Sequence, residues 1–383
     1  MDVQRYTARS QPLLKHIAFR VDASFEIGTG HVMRCLTLAD ALRERDAKCT
    51  FVCRPHAGHL LELIEQRGHQ AIALHKPEIF LQMQSNNDPA HAAWLGTSWL
   101  DDAAQTRAAL TGQQLDWLVV DHYALDRRWE SLLRGQARRI MVVDDLADRP
   151  HDCDLILDQT YGRPESDYAP LVPDNCQLLC GSQYALLRPD FAVLREYSLR
   201  RRTKPVLKEL LITMGGVDKD NATGEVLKAL QNCSLPENIR VTVVMGQLAP
   251  WLQEVKELAA ILPWSTRVLV GVSDMAQLMA DSDLAIGAAG ATSWERCCLG
   301  LPSVVLLTAE NQRFIISNLT KNEVVESIDL IDLNFNLKSV INYISSESGL
   351  MRYSQISKRV CNGLGAGKLS QIIHEYEKYN RID

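Results

Sequence analysis

The feature that most constrains the fold is a short apolar strand that leads through a glycine turn into an amphipathic helix. Residues 17–21 are mostly apolar, as a buried strand requires, and apolar residues recur at helical spacing from Cys35 to Leu42. Gly28 and Gly30 lie between them, so the backbone can bend sharply and a ligand can approach the first amides of the helix. Those unpaired N–H groups favour an anion, which makes the turn a candidate phosphate or diphosphate site.

His31 stands at the start of this helix, where its imidazole can exchange a proton near neutral pH in the space that the turn opens. A single Gly-x-Gly is a weak motif, however, and a histidine at a helix N-terminus is often a cap or a surface residue. This stretch alone therefore leaves a catalytic and a structural role open.

The same pattern of strand, turn and helix returns in the second half of the chain. Residues 210–213 form a short apolar stretch that leads into Gly215 and Gly216, and a helix is predicted for 222–230. A third turn of small residues opens another helix within 287–295, where the backbone can come close to a ligand.

The alternation of strands and helices predicts an α/β protein with two doubly wound Rossmann-like domains. At 383 residues the chain is too long for one ordinary core. We place the domain boundary in the charged segment 200–205, which we expect to be a solvated linker, so that the domains span 1–200 and 201–383, the second with a helical tail. Further strands are predicted at 49–53, 70–74, 116–120, 140–143, 155–158, 177–180, 240–245, 267–270, 284–286 and 303–307.

Polar clusters follow two further strands of the first half. Asp121-His122-Tyr123 ends one strand and Asp144-Asp145 ends the next. Ligands of open α/β sheets bind outside the carboxyl ends of the strands, so these clusters and the first glycine turn should meet at one edge. Helix capping is the alternative role for the aspartates, and it is the role that we expect for Asp145.

Composition excludes several classes of function. The chain is 46% hydrophobic and 23% charged, as is typical of a soluble globular protein. No apolar run approaches the ~20 residues of a membrane helix, and a formal net charge of -6 gives no reason to expect nucleic acid as a partner. The polar segment 1–11 lacks the apolar core of a signal peptide, which favours the cytoplasm. The ten scattered cysteines lack zinc-site spacing and are expected to be reduced. The chain also offers no clustered carboxylates or His/Cys ligands, so we expect no metal, and we expect no other cofactor.

Two doubly wound domains whose glycine turns face each other across a cleft describe the GT-B architecture of nucleotide-sugar enzymes. Several motifs also stand in a fixed order: Arg20-Val21-Asp22-Ala23, Ile27 to Arg34, Asp121-His122-Tyr123, Gly181 with Tyr184 to Arg188, Met214 to Asp218, and Glu295 with Asn311-Gln312. This ordered set resembles the PseG family, the UDP-2,4-diacetamido-2,4,6-trideoxy-beta-L-altropyranose hydrolases of pseudaminic acid biosynthesis. The similarity extends over residues 16–315.

The resemblance implies a role for each matching residue on the sugar side of the site. His31 would be the general base, and Tyr123 would lie beside the sugar. Asn311 and Gln312 would face the hexose.

On the nucleotide side, the resemblance implies that Arg188 and Glu295 contact the substrate, with Glu295 at the uridine ribose. Gly215, Gly216 and Asn221 would border the diphosphate, in keeping with the affinity of backbone amides for phosphate. The alternative role of Arg188 is a plain salt bridge. The alternative role of Glu295 is to stabilise the first turn of its helix, where a negative charge is favourable. The remaining expected substrate contacts are Asp22, Gly30 and Arg34.

The activity that the resemblance implies is hydrolysis of a UDP-sugar by water attack at the anomeric carbon with inversion. The partners would be the UDP-sugar and the product UDP, and we expect a monomer. The product would serve pseudaminic acid biosynthesis, with flagellin glycosylation or a surface polysaccharide as its destination. Two alternatives stay open at this point, a GT-B glycosyltransferase that uses a UDP-sugar donor and a non-catalytic nucleotide-sugar binding protein.

Overall fold

The computed structural model describes residues 15–77, 87–247 and 249–379. The polar segment 1–11, interpreted above as lacking a signal peptide, lies outside the described residues. No helix in the described ranges has the length and apolar character needed to cross a membrane.

Seven parallel strands form the first sheet. They are β1 (His16–Val21), β2 (Lys48–Cys53), β3 (Gln70–Ala73), β4 (Leu115–Asp121), β5 (Ala137–Val143), β6 (Leu155–Asp158) and β7 (Gln177–Cys180). Their order across the sheet is β3-β2-β1-β4-β5-β6-β7. The order reverses between β1 and β4, so a crevice opens at the carboxyl ends of these two neighbours.

Six parallel strands form the second sheet. They are β8 (Glu209–Thr213), β9 (Arg240–Met245), β10 (Ser265–Val270), β11 (Leu284–Ala288), β12 (Ser303–Leu307) and β13 (Glu326–Asp329). Their order is β10-β9-β8-β11-β12-β13, which places the corresponding crevice between β8 and β11.

Helices cover both faces of the two sheets. Those of the first half are α1 (Gly30–Arg43), α2 (Leu61–Gln66), α3 (Trp99–Ala109), α4 (Arg127–Leu133) and α5 (Pro189–Arg201). Those of the second half are α6 (Ala222–Leu230), α7 (Leu252–Ile261), α8 (Met275–Asp281), α9 (Ala291–Cys298), α10 (Arg313–Lys321), α11 (Leu333–Ile344), α12 (Glu347–Ser357) and α13 (Gly365–Tyr379).

This arrangement confirms the prediction of two doubly wound α/β domains. Every predicted strand is present to within a few residues, and the sequence analysis missed only β13 among the described strands. That strand reads Glu-Ser-Ile-Asp and lies at the edge of its sheet, so it has no continuous apolar run to reveal it.

Burial on both faces explains why the central strands are continuously apolar. Phe19 and Phe51 stack on one face of the first sheet with ring centroids 4.8 Å apart, beneath the apolar side of α1. Trp129 and Tyr168 fill the core on the other face. The first sheet is therefore a rigid platform for the residues at its carboxyl edge.

The chain passes between the two sheets twice. After the first sheet, α5 packs against the second domain, where the Ser198 hydroxyl donates to the carbonyl of Leu299. At the other end, α13 returns to the first sheet, where Tyr376 donates to the carbonyl of Asp154 at 2.8 Å. The boundary at residue 200 stays a prediction.

The basic segment near residue 200 is not the solvated linker that we expected. Arg202 is only 4% exposed, and its guanidinium donates to the carbonyls of Met279 and Ser282 at the end of α8. Arg201 pairs with Asp283 at 2.9 Å. The last carbonyls of a helix have no partners within the helix, and these arginines supply the missing donors.

Candidate active site

The two sheets meet across a cleft of about 210 Å³ at the carboxyl ends of their strands. The glycine turns face each other there, since a Cβ built on Gly216 would lie 3.4 Å from the Thr29 hydroxyl. An exposed ion pair of Lys219 and Glu26, 2.9 Å apart, also joins the two turns. The residues that line the cleft are Ile27, Gly30, His31, Arg34, Tyr123, Asp145 and Gln159 from the first half, and Ala289, Gly290, Ala291, Trp294, Asn311, Gln312 and Ile315 from the second.

The imidazole of His31 is held by a carboxylate from the neighbouring strand. His31 lies in the first turn of α1, and its Nδ1 is 2.6 Å from Oδ1 of Asp121, the last residue of β4. An ionised carboxylate only accepts hydrogen bonds, so Nδ1 carries a hydrogen, and in the neutral imidazole the lone pair is therefore on Nε2. This arrangement suits a base that removes a proton from a substrate or a water molecule in the cleft.

Arg34, one turn along α1, keeps Asp121 ionised. Its Nε and Nη2 donate to the two oxygens of Asp121, each at 2.7 Å. Burial acts to raise the pKa of the Asp121 carboxyl, but the Arg34 guanidinium and His31 outweigh it, so this pKa lies well below its usual value. Asp121 therefore stays a hydrogen-bond acceptor for His31.

Tyr123 forms the wall next to the histidine. The two rings meet edge to face with centroids 4.6 Å apart, and the Tyr123 hydroxyl donates to Oδ2 of Asp145 at 2.9 Å. Burial, followed by the nearby Asp145 charge, raises the pKa of the phenol well above its usual value, so Tyr123 remains protonated. Contrary to our expectation, Asp145 caps none of the described helices, and it instead binds Tyr123 and Arg34.

The N-terminus of α1 opens into the cleft through Gly30 and His31, and from the second half the N-terminus of α9 also opens into it. Helix α9 begins after Gly290, which has a φ of 146° that favours glycine, and both Gly290 and Ala291 line the cleft. Among the described residues, no side chain accepts a hydrogen bond from the N–H groups of the first turn. The N–H of Ser293 donates to the carbonyl of Gly290, so the N–H groups of Ala291 and Thr292, together with the helix dipole, form the unoccupied donor set for an anion.

The N-terminus of α6 is different, because its own side chains already satisfy it. The carboxylate of Asp218 accepts from the backbone N–H groups of Ala222 and Thr223. Asn221 caps the helix by accepting from Gly224, and it also donates to Glu254. The structure therefore brings the Gly215–Gly216 turn to the edge of the site but places Asn221 in a capping role.

Arg188 and Glu295 lie near each other, and neither is among the residues that line the cleft. Arg188 donates to the carbonyl of Ser273 at 3.0 Å, and it stabilises the charge of Glu295. Burial raises the pKa of Glu295 to about 7, while Arg188 and Arg296 act in the opposite direction. Glu295 thus belongs to α9, with the Arg188 guanidinium close enough to stabilise its charge, and their predicted contacts with the substrate stay a prediction.

Asp22 lies outside the cleft in a buried ion network. Its carboxylate accepts from Arg20 and from the backbone N–H of Arg54, and Nε2 of His122 is 3.2 Å from it. Arg20 and Arg54 both continue to Asp102. The structure does not place Asp22 among the residues that line the cleft, and its carboxylate instead binds Arg20 and the backbone of Arg54 in the buried core.

Eight lining residues were not predicted as site residues: Ile27, Asp145, Gln159, Ala289, Gly290, Ala291, Trp294 and Ile315. Gln159 receives a hydrogen bond from the backbone of Leu186, and Trp294 is almost fully buried within α9. Gly290 and Ala291 belong to the small-residue turn already recognised after a strand, so their composition was the signal. Asp121, which does not line the cleft, was recognised only as part of a strand-end cluster.

Comparison with curated proteins gives three relatives, whereas no protein-family model matches the chain. The chain is 24% identical over 306 residues to the UDP-2,4-diacetamido-2,4,6-trideoxy-beta-L-altropyranose hydrolase of Campylobacter jejuni, covering 80% of this chain and 96% of that protein. It is 24% identical to the spore coat polysaccharide biosynthesis protein SpsG of Bacillus subtilis, covering 78% of each. An uncharacterised protein of Methanocaldococcus jannaschii is 25% identical over 78% of this chain, which spans only 56% of that longer relative. These matches confirm the resemblance indicated by the ordered motifs.

Solved structures share the fold. MurG of Acinetobacter baumannii superposes with a TM-score of 0.65 at 14% identity, covering 94% of this chain and 99% of that one. The calicheamicin glycosyltransferase CalG4 gives a TM-score of 0.63 at 13% identity, covering 97% of this chain and 99% of that one. The GT-B architecture predicted from the sequence is confirmed.

Proposed function

We propose that this protein hydrolyses a UDP-linked sugar, releasing UDP and 2,4-diacetamido-2,4,6-trideoxy-L-altrose. The observation that carries the proposal is the pair formed by His31 and Asp121, which opens onto the same cleft as the uncapped N-terminus of α9. A base and an anion site on facing walls are what hydrolysis of a sugar diphosphate requires. The similarity to the Campylobacter hydrolase supports this choice of substrate.

In this mechanism, Nε2 of His31 removes a proton from water as the water oxygen attacks the anomeric carbon. The bond between that carbon and the diphosphate oxygen breaks, and UDP leaves with the electron pair. Asp121 stabilises the imidazolium that forms, since its carboxylate lies 2.6 Å from Nδ1. The N–H groups that begin α9 would stabilise the charge on the diphosphate. Attack from the face opposite UDP inverts the anomeric configuration.

Replacing His31 by asparagine tests the role of the base. We expect the variant to lose turnover while its affinity for UDP stays within about threefold of the wild type, because the nucleotide would bind on the other wall. Calorimetric titration of UDP and a UDP-release assay measure the two quantities. A variant with near wild-type turnover would remove His31 from the mechanism.

Incubation of the purified protein with the UDP-sugar and no acceptor separates the candidate functions. Release of UDP and free sugar supports the hydrolase, a requirement for an acceptor supports a glycosyltransferase, and binding without release supports a silent binding protein. Turnover in oxygen-18 water should place the label on the sugar. Label on UDP would show attack at phosphorus and would contradict the proposed mechanism.

A further inference from the structure

Gln159 is a buried polar residue of the cleft that the mechanism above does not use. It directly follows β6, and it lines the cleft although it is only 3% exposed. Its Oε1 accepts a hydrogen bond from the backbone N–H of Leu186 at 3.1 Å. A backbone N–H needs an acceptor, so this bond fixes the orientation of the carboxamide and leaves Nε2 as its free end.

The amide nitrogen of Gln159 is a hydrogen-bond donor without a partner. The described residues accept no hydrogen bond from Nε2, yet this nitrogen is not enclosed completely by protein, unlike Oδ1 of Asp145. An amide donor in a buried side chain costs free energy while it stays unpaired. An acceptor atom of a ligand in the cleft would therefore bind Nε2 favourably.

The core holds the partner of Gln159 in place. The Leu186 side chain packs with Leu369 of α13 in the core of the first domain. Ser182, four residues before Leu186, donates to the carbonyl of Val360 at 2.6 Å. The carboxamide of Gln159 is thus preorganised, which lowers the entropy cost of binding a ligand group.

The charges around Gln159 are paired, so this wall of the cleft offers little attraction for a phosphate. Asp158, the preceding residue, binds Arg163 at 2.7 Å, and Asp145 binds Arg34. An uncharged N–H donor beside paired charges suits a neutral acceptor oxygen, such as the carbonyl of an amide.

The place of Gln159 along the edge of the sheet indicates which part of a sugar it meets. Asp121 ends β4, where it holds His31, and β6 is the second neighbour of β4 in the sheet. Neighbouring strands lie about 4.8 Å apart, so the ends of β4 and β6 are about 10 Å apart. C4 is opposite C1 in a pyranose ring. When C1 faces His31, the substituent on C4 is therefore the one that extends furthest towards Gln159.

We propose that Nε2 of Gln159 donates a hydrogen bond to the carbonyl oxygen of the 4-acetamido group of the hexose. That oxygen is the acceptor of the amide, and it lies beyond the ring on the side away from the anomeric carbon. The inference rests on the proposed function, and it adds a specificity-determining residue that recognises the acyl group at C4 and not the one at C2.

The first test compares the diacetamido UDP-sugar with an analogue whose 4-acetamido group is a thioacetamide. Sulfur is a weaker acceptor than oxygen in a group of nearly the same shape, so we expect the wild type to prefer the oxygen compound by about tenfold in kcat/KM. Gln159→Met has a side chain of similar length without a donor, and its preference should fall to about twofold or less. Gln159→Glu keeps an acceptor for Leu186 but its carboxylate cannot donate, so the preference should fall there as well.

The matched substrate carries the thioacetamide at C2. Gln159→Met should keep the wild-type preference at this position to within about twofold, because the proposed contact is with the C4 group alone. Gln183→Met, on the exposed surface of the segment that holds Leu186, is the matched protein control and should keep both wild-type preferences. A purely structural role of Gln159 would slow all three substrates alike and leave their ratios unchanged.

The proposal is overturned if either variant of Gln159, shown by its melting curve to be folded, keeps the wild-type preference at C4, or if the preference that it loses is the one at C2. Dissociation constants of the same compounds, measured relative to UDP by calorimetry, give the ratios without turnover. A protein that binds with these preferences but releases no UDP contradicts the proposed hydrolysis and leaves the assignment of Gln159 supported.

Discussion

The imidazole of His31 depends on a carboxylate that lies far from it in the sequence. Asp121 is 90 positions away, and Arg34 fixes both oxygens of that carboxylate. A neutral amide at position 121 can present either an acceptor or a donor to Nδ1, so it no longer fixes the tautomer that leaves Nε2 unprotonated.

We therefore expect Asp121→Asn to lower kcat by roughly 10³- to 10⁴-fold with little change in the affinity for UDP. Steady-state kinetics and calorimetric titration measure these effects, and a melting curve checks that the variant folds. Asp116→Asn, at the opposite end of the same strand, is the control and should retain wild-type turnover. Retention of more than a tenth of the activity by Asp121→Asn would show that this carboxylate does not position the base.

Glu295 links stability to pH. Burial raises its pKa to about 7 in the folded protein from an ordinary value of 4.5, so the native state binds the proton more tightly than the unfolded chain does. The contribution of this group to stability is present below pH 4.5 and is lost as the pH rises towards 7, because ionisation is unfavourable in the buried site.

Glu295→Gln removes this ionisation. We expect the free energy of unfolding of the variant, relative to the wild type, to increase by about 3 kcal/mol between pH 4.5 and pH 8. Urea unfolding at the two pH values measures the change. An equal difference at both pH values would show that Glu295 ionises as readily in the folded protein as in the unfolded chain.

Among the secondary-structure elements of the second half, the contrast between α6 and α9 indicates where a diphosphate can bind. Both helices follow a glycine turn at the end of a strand, but Asp218 and Asn221 occupy the first amides of α6. The first turn of α9 lacks such a cap among the described residues and begins within the cleft. We therefore propose α9, rather than the turn at Gly215, as the main diphosphate site.

A pair of matched substitutions tests this choice. Gly290 and Gly215 both have positive φ angles, and a Cβ at either position would meet no other atom within 4 Å. Alanine therefore strains both turns, but we expect only Gly290→Ala to weaken UDP binding by about tenfold or more. A larger loss of affinity in Gly215→Ala would place the diphosphate on the turn that the family resemblance implies.

At the scale of the whole molecule, α13 packs against the helices and strands of the first sheet. Leu369, Ile373 and Tyr376 of α13 are buried in the core beside α1, and the Tyr376 ring meets Trp117 edge to face at 4.9 Å. The chain thus connects the two domains at two places, through the segment before α5 and the segment before α13.

Truncation of Leu369 tests the importance of this helix for stability. We expect Leu369→Ala to lower the free energy of unfolding by about 2–5 kcal/mol, because it leaves a cavity under the first sheet. Leu364→Ala, at a position that is 54% exposed just before the helix, should change it by no more than about 0.5 kcal/mol. Denaturant unfolding monitored by tryptophan fluorescence compares the two variants, and equal effects would show that α13 contributes little to the core.

Much of the architecture could be predicted because it depends on local patterns. The strand from 155 to 158 and the helix from 222 to 230 occupy the predicted residues, since their apolar side chains repeat with the period of each element. The same patterns placed His31 and Tyr123 at the carboxyl edge of one sheet. The tertiary structure shows that Arg202 is buried, because its partners are the final carbonyls of α8, almost 80 positions along the chain.

The sequence by itself determined the two parallel sheets, the glycine turns and the edge at which the polar residues gather, because burial and backbone freedom are recorded in neighbouring residues. Only the tertiary structure decided which carboxylate holds His31, which oxygen of Asp145 has no partner among the described residues, and which helix N-termini open into the cleft. These properties depend on hydrogen bonds between elements that are distant in the sequence, and no local pattern specifies how those bonds are shared.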